Sequence, residues 1–386
     1  MIITSLLDND LYKFTSSHAY SIRYPHAQGI FKFTDRNQMV YPKGFAALLQ
    51  REVEEMARLE LSPEEEFFLK EQVRFLPPPY VDFLKGFRYD PSEVKIAQDP
   101  DGRLEVTITG NLYRITLWEV PLLALISELY YQVKGEHAEG VRERTMAKIG
   151  ILNSGDVSFA EFGTRRRFSF DVQRDVIRLL SEHAHHLIGT SNVFFAMRFK
   201  LPVSGTFPHE WIQFHGANFG YRMGNYSGLE AWQEVYHGDL GIALADTYTS
   251  KVFFDNFSKE HAKLFDGVRQ DSGEPEAFVD LALARYKELN VNPASKMIIF
   301  SDSLTAERTV NIKRYCDARI RAAFGIGTHL TNDFGVKPMN IVIKLQACRM
   351  TPRLPWLGCV KLSDVKGKES GTEKDIRICK EVLGIE

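Results

Sequence analysis

The feature that most constrains this chain is a rhythm that begins near residue 150. Short apolar runs recur at 157–162, 193–197, 201–203, 242–245, 265–268, 297–300, 322–324 and 341–343. Each ends in a cluster of small or charged residues, followed by a helical stretch. Strand, polar loop and helix repeated in this way imply parallel strands joined by crossover helices. Seven or eight such units in about 200 residues predict a closed or nearly closed α/β barrel. A doubly wound open sheet is the rival.

The first part of the chain has a different texture. A helix is expected over 12–24, a strand over 29–34 and an amphipathic helix over 45–59. Pro77-Pro78-Pro79 marks a turn. A strand over 104–109 is expected to pair with 111–116, before a largely buried helix over 117–133. The chain therefore divides into an N-terminal α+β domain (1–135) and an irregular α/β barrel domain (136–352) carrying the active site. A tail (353–386), with a Lys/Gly/Ser loop at 366–371, rejoins the first domain.

Composition removes several function classes. Lys plus Arg total 48 and Asp plus Glu 50, a net charge of −2, so neither nucleic acid nor an anionic membrane is expected as partner. An anionic ligand must meet a local cluster of cations instead. The four cysteines, Cys316, Cys348, Cys359 and Cys379, form no C-x-x-C pair, which removes zinc knuckles and thioredoxin-like chemistry. The first residues lack a signal peptide's basic lead and apolar core, and Glu119, Pro121 and Glu128 interrupt the most apolar stretch. A soluble, reduced, cytoplasmic protein is expected.

The loops after the expected strands carry the chemistry. They contain Gly163-Thr164-Arg165-Arg166-Arg167, Ser204-Gly205-Thr206-Phe207-Pro208-His209-Glu210-Trp211 and Asp246-Thr247. Further on come Arg269-Gln270-Asp271-Ser272-Gly273, Ser301-Asp302-Ser303 and Gly325-Ile326-Gly327-Thr328-His329. In a barrel all of these converge on the C-terminal face. Arginines and loop amides suit phosphates, and carboxylates suit ribose hydroxyls or Mg²⁺. Taken singly, each has a plainer reading. Three arginines in a row favour a solvated face, Gly325-Ile326-Gly327 is too short for a dinucleotide fingerprint, and Ser301-Asp302-Ser303 is good capping chemistry. Their coincidence at successive strand ends is what points to a site.

His209 precedes His215 by six residues, not four, so the two lie on different helix faces and a zinc-protease motif fails. Taken alone, His209 favours a buried structural role, but its place at a helix start after a Gly-Thr turn suits a group that carries phosphate. No Walker A sequence is present, because Gly367-Lys368 is followed by Glu369. Lys344, after the run 341–343, keeps a Schiff-base aldolase open as an alternative.

Taken in order, these segments resemble the nicotinate phosphoribosyltransferase family along nearly the whole chain. The resemblance begins with Leu7-Asp8-Asn9-Asp10-Leu11-Tyr12-Lys13 and Phe162-Gly163-Thr164-Arg165-Arg166. It runs on through Gly189-Thr190-Ser191-Asn192-Val193 to the His209 segment, Ala245-Asp246-Thr247-Tyr248 and the three loops from Gly267 to Thr328. Phe207-Pro208 departs from the commoner Gly-Thr-x-Ala-His-Glu form. The resemblance implies a type II phosphoribosyltransferase-like barrel. It also implies joining of nicotinate to phosphoribosyl pyrophosphate with release of pyrophosphate, coupled to ATP and needing Mg²⁺, in a homodimer with shared sites. By the same resemblance His209 is phosphorylated, Arg165 and Arg269 meet anionic groups, and Asp271 and Asp302 hold ribose or Mg²⁺. Gly325 and Gly327, with Thr328, take the 5′-phosphate, and Thr190, Ser191, Ser301 and Ser303 complete the substrate contacts. Phe162 and a partner subunit's Tyr12 would sandwich the pyridine ring, and the neutral Ser191 would favour nicotinate over nicotinamide. Nicotinamide and quinolinate phosphoribosyltransferases are the alternatives.

Overall fold

The computed structural model describes residues 1–385 and contains two sheets. The first is antiparallel and orders its strands β11-β10-β1-β3-β2. These are β1 (Gln28–Asp35), β2 (Val94–Gln98), β3 (Leu104–Asn111), β10 (Ile341–Arg349) and β11 (Leu357–Gly358). The second is parallel, β5-β4-β9-β8-β7-β6. It comprises β4 (Phe159–Glu161), β5 (Leu187–Thr190), β6 (Ile242–Leu244), β7 (Gly267–Gln270), β8 (Met297–Phe300) and β9 (Arg321–Ile326).

The α/β architecture with a separate N-terminal unit stands as expected. Among the described residues the edge strands β5 and β6 do not pair with each other, so the barrel stays open; a single parallel bridge, Thr190 to Val203, extends one edge.

Four expectations are corrected. The run 193–197 is not a strand but lies in the helix Val193–Phe199, because the Asn192 side chain accepts from the Phe195 amide and starts a helix there. The strand at that place is β5, which ends just before this cap. Residues 111–116 do not pair with β3: Leu112–Ile115 is helical, and β3 forms its hairpin with β2. The turn between them uses Gly102 at φ +83°, a left-handed position. Finally, 341–343 belongs to no barrel strand. It opens β10, which runs antiparallel to β1 from Ile341 opposite Asp35 to Arg349 opposite Gln28. The return to the N-terminal unit thus begins at Ile341, not at 353, and the tail ends in the helix Glu373–Leu383.

The N-terminal segment laces the two units together. Leu11 donates to the Ser191 carbonyl, and Val193 and Phe194 donate to the carbonyls of Asn9 and Leu7. Arg167 and Asp8, both fully buried, form a two-bond ion pair at 2.8 Å. Buried apolar side chains from both units join in one core. Among the described residues, no helix is long and apolar enough to cross a membrane.

Candidate active site

Because the parallel strands all end on one side, their loops surround a single cleft of about 470 Å³. The loop after β4 supplies Phe162, Gly163 and Arg165; the loop after β7 supplies Asp271; Arg269 comes from β7 itself. Ser301, Asp302 and Ser303 follow β8, and Gly325, Gly327 and Thr328 come from β9 and the turn beyond. The antiparallel sheet closes the other side with Lys344 and Leu345 of β10.

His209 is the first residue of the helix His209–Phe219, and Pro208, preceding it, offers no side-chain cap, so the free amides of the first turn are left for a ligand. Its ring sits in a web of polar groups. Nδ1 is 2.9 Å from the Thr247 hydroxyl, while Nε2 is 2.7 Å from Lys361 Nζ and 3.0 Å from Asp271 Oδ2. Lys361 can only donate and Asp271 only accept, so the neutral Nδ1–H tautomer takes the first partner, and the neutral Nε2–H tautomer or the imidazolium takes the second. Burial and then the Lys361 charge lower the pKa, against the pull of Asp246 and Asp271. The neutral ring is thereby favoured; in the tautomer whose Nε2 lone pair faces Lys361, the Nδ1 proton is directed at Thr247.

Asp271 is a hub. Its Oδ1 accepts from Arg269 at 3.1 Å and from the Ser301 hydroxyl at 2.7 Å, and Arg269 Nε donates to Ser301 at 2.8 Å. Burial works to raise its pKa, but Arg269, His209 and Lys361 together hold it well below the usual carboxylate range. Asp302 accepts from Lys368 through both oxygens, at 3.0 and 2.9 Å. Arg165 opens onto the cleft beside Tyr12, Glu119 and Asp10, which keep it firmly charged. Arg166 beside it is pushed down to about 10, by burial first and then by Arg165 and Arg36.

A charged triad forms part of this floor, with Lys13 fully buried and Glu119 and Glu210 reaching the cleft. Lys13 Nζ pairs with Glu119 and, at 2.6 Å, with Glu210, the residue after His209. Thr116 donates to Glu210 as well.

Most of the expected residues meet here, and three placements differ. Tyr12 and Phe162 of one and the same chain line the cleft, where the resemblance had implied a partner's Tyr12. Thr190 and Ser191 are not on the cleft wall. Both are buried, with Thr190 donating to Glu161 at 2.6 Å and Ser191 to Asp10 at 2.8 Å, because the loop after β5 turns inward against the N-terminal segment. Gly325 and Gly327 do line the cleft, yet they also answer a packing need: a Cβ at Gly325 would run into the Phe162 ring, and one at Gly327 would lie 2.9 Å from the Phe162 carbonyl oxygen.

Sequence reasoning missed Arg36, Glu119, Lys361 and Lys368 as cleft residues, and read Lys344 only as an aldolase lysine. The tail's Lys366–Gly371 loop held the one visible hint, a run of cations without an assigned ligand.

The carboxylates suit Mg²⁺ in kind, since this ion is commonly held by one or two carboxylates and substrate phosphates. Asp271 and Asp302 both face the cleft. A second cluster of donor atoms, from His209, Asp246 and Asp271, fits a metal less well. Lys361 Nζ already stands 2.7 Å from His209 Nε2 and 3.3 Å from Asp246 Oδ2, where a cation would sit.

Comparison with known proteins adds the last observation. Residues 157–383 match the nicotinate phosphoribosyltransferase (NAPRTase) family, and residues 7–127 match the NAPRTase N-terminal domain. The nicotinate phosphoribosyltransferase of Desulforapulum autotrophicum is 46% identical over 386 residues, covering 99% of each chain. That of Chromohalobacter salexigens is 48% identical over 388 residues, covering 100% of this chain and 99% of its own. Among solved structures, the enzyme from Porphyromonas gingivalis superposes with a TM-score of 0.98 at 51% identity, with both chains fully covered. The Vibrio cholerae structure gives 0.94 at 30% identity, covering 100% of this chain and 95% of that one.

Proposed function

This chain belongs to the nicotinate phosphoribosyltransferase family, and from that premise we propose an ATP-coupled reaction through a phosphorylated His209. Membership brings the substrates, nicotinate and phosphoribosyl pyrophosphate, and a place in NAD biosynthesis. The observation that carries the finer reading is the convergence of a neutral histidine at a helix start with a ring of cations on the cleft that holds Phe162.

The chemistry demands little covalent help. The pyridine nitrogen is already a nucleophile, and displacement at ribose C1 passes through a cation-like state. The protein must align the two reactants and neutralise the departing pyrophosphate. Phe162 and Tyr12 would bracket the ring and Arg165 would meet its carboxylate. Asp271, fixed by Arg269 and Ser301, would hold the ribose hydroxyls. The backbone at Gly325, Gly327 and Thr328 would take the 5′-phosphate, with Ser303 nearby. Arg269, Lys344, Lys361 and Lys368 would face the pyrophosphate. Mg²⁺, held by Asp302, Asp271 and phosphate oxygens, would supply charge neutralisation of the leaving group.

In the coupled step the Nε2 lone pair of His209 attacks the γ-phosphorus of ATP. The N–P bond forms as the P–O bond to ADP breaks. Lys361 and the free amides of the first helical turn then face the new negative charge. Hydrolysis of the phosphohistidine returns the ring and releases phosphate. A cytoplasmic homodimer is the expected assembly. The deciding experiment is product analysis with phosphoribosyl pyrophosphate, Mg²⁺ and each of nicotinate, nicotinamide and quinolinate, with and without ATP. Nicotinate mononucleotide formation stimulated by ATP is expected. Nicotinamide or quinolinate as the favoured substrate would overturn the reading.

A further inference from the structure

Glu161 ends β4, immediately before Phe162, and its side chain is fully buried. The carboxylate gathers three donors from three elements. Oε1 accepts from the Gly163 amide at 2.5 Å and from Gln173 of the helix Phe170–His183 at 3.1 Å; Oε2 accepts from Thr190 of β5 at 2.6 Å. None of these partners is a cation. The neighbouring guanidinium, Arg167, is committed to Asp8, and Arg165 turns to the cleft. A buried carboxylate with no countercharge is costly, so it has to be held by what it organises.

What it organises is the loop that carries Phe162 and Arg165. Gln173 donates also to Thr164 at 3.0 Å and accepts from Arg167 at 3.3 Å, so the loop is pinned at Gly163, Thr164 and Arg167 through one carboxylate and one amide. Thr190 passes the linkage on by accepting from the Asn192 amide at 3.2 Å. We propose that Glu161 is a positioning residue for nicotinate: its ionised form holds the Phe162–Arg165 loop in the binding geometry, and protonation loosens that loop. The proposal rests on the reading that Phe162 and Arg165 hold the pyridine carboxylate.

The mechanism is a mismatch of donors. All three partners donate, so an acid proton on Glu161 has no acceptor unless the Thr190 hydroxyl reverses and gives up its present bond. Loss of charge also weakens the two bonds to Oε1. Burial pushes the Glu161 carboxyl up to about 7, with Asp10 adding to the rise and Thr190, Gly163 and Gln173 opposing it. Asp10 of the N-terminal segment is the charged group that acts on it, while its own loop, the helix and β5 present the Gly163 amide, Gln173 and Thr190.

The test is the nicotinate KM and kcat of the ATP-free reaction, at saturating phosphoribosyl pyrophosphate, between pH 6 and 8.5. The wild-type KM is expected to rise severalfold as pH falls through the region of 7, with kcat little changed. Glu161→Gln cannot ionise and places an amide donor among donors. Its KM is expected to be raised at every pH, roughly tenfold, with a flat profile. Thr190→Val removes one donor and should move the wild-type break to higher pH by half a unit or more. Should Glu161→Gln fail to fold, Thr190→Val still decides. A break that does not move in Thr190→Val, or a Glu161→Gln profile parallel to wild type, overturns the proposal. Absence of any nicotinate turnover in the wild type, with ATP as well as without it, would instead overturn the functional reading beneath it.

Discussion

At His209 two partners compete for one nitrogen, and that competition sets the first prediction. His209→Ala should abolish ATP hydrolysis and acid-labile phosphate on the protein while leaving slow, ATP-independent nucleotide synthesis; label that persists in the variant would remove the assignment. Arg269 lies in the same web, bonded to Asp271 and Ser301. Charge-assisted bonds of this kind contribute about 1.5–3 kcal/mol, so Arg269→Ala should lower kcat/KM by roughly 10- to 100-fold without unfolding the protein. Ser191 has a different outcome from the one its sequence context implied. It is 2% exposed and donates to Asp10. Ser191→Asp therefore replaces a donor with a second carboxylate buried against the first, which destabilises the fold. A lower melting temperature and equal losses for nicotinate and nicotinamide are expected. A selective loss of nicotinate use in a fully stable variant would restore the specificity role.

The elements tell a similar story through β10. Lys344 stands on it with its pKa brought down to about 7, by burial first and then by Arg36, Lys361, Lys368 and Arg166. Two consequences follow from that direction. An unfolded lysine binds its proton up to its ordinary pKa of about 10.4, whereas the folded one releases it near 7, so stability from this group rises with pH across that window. An arriving polyanion reverses the cationic field, and Lys344 should take up a proton when pyrophosphate binds. Calorimetry of pyrophosphate binding at pH 8 in buffers of different ionisation enthalpy should show net proton uptake, approaching one; none in wild type, or an unchanged value in Lys344→Met, would contradict it. Periodicity could not reveal this role, because a three-residue apolar run says nothing about which sheet it enters. The same ambiguity turned 193–197 into an expected strand, although the Asn192 cap was legible beside it.

For the whole molecule, the two units share more than a boundary. Lys13 from the first unit neutralises Glu210 of the second, Asp8 pairs with Arg167, and β10 returns to pair with β1. Thermal unfolding should therefore be one transition, with calorimetric and van't Hoff enthalpies agreeing, and two resolved transitions would show that the units are independent. The sequence alone determined the rhythm of parallel strands, the loops at their ends and the residues those loops offer, since strand period, capping and turn chemistry act within a few positions. It also carried the family resemblance, because that is written in ordered local segments. Only the tertiary structure decided that the tail's lysines cross to the cleft, that Tyr12 and Phe162 line one cleft within one chain, and that Thr190 and Ser191 turn away from it. Those outcomes depend on which distant groups share one buried volume and must satisfy one another's charges and hydrogen bonds. Lys361 and His209 lie 152 positions apart in the chain and 2.7 Å apart in the fold, a proximity that no local pattern encodes.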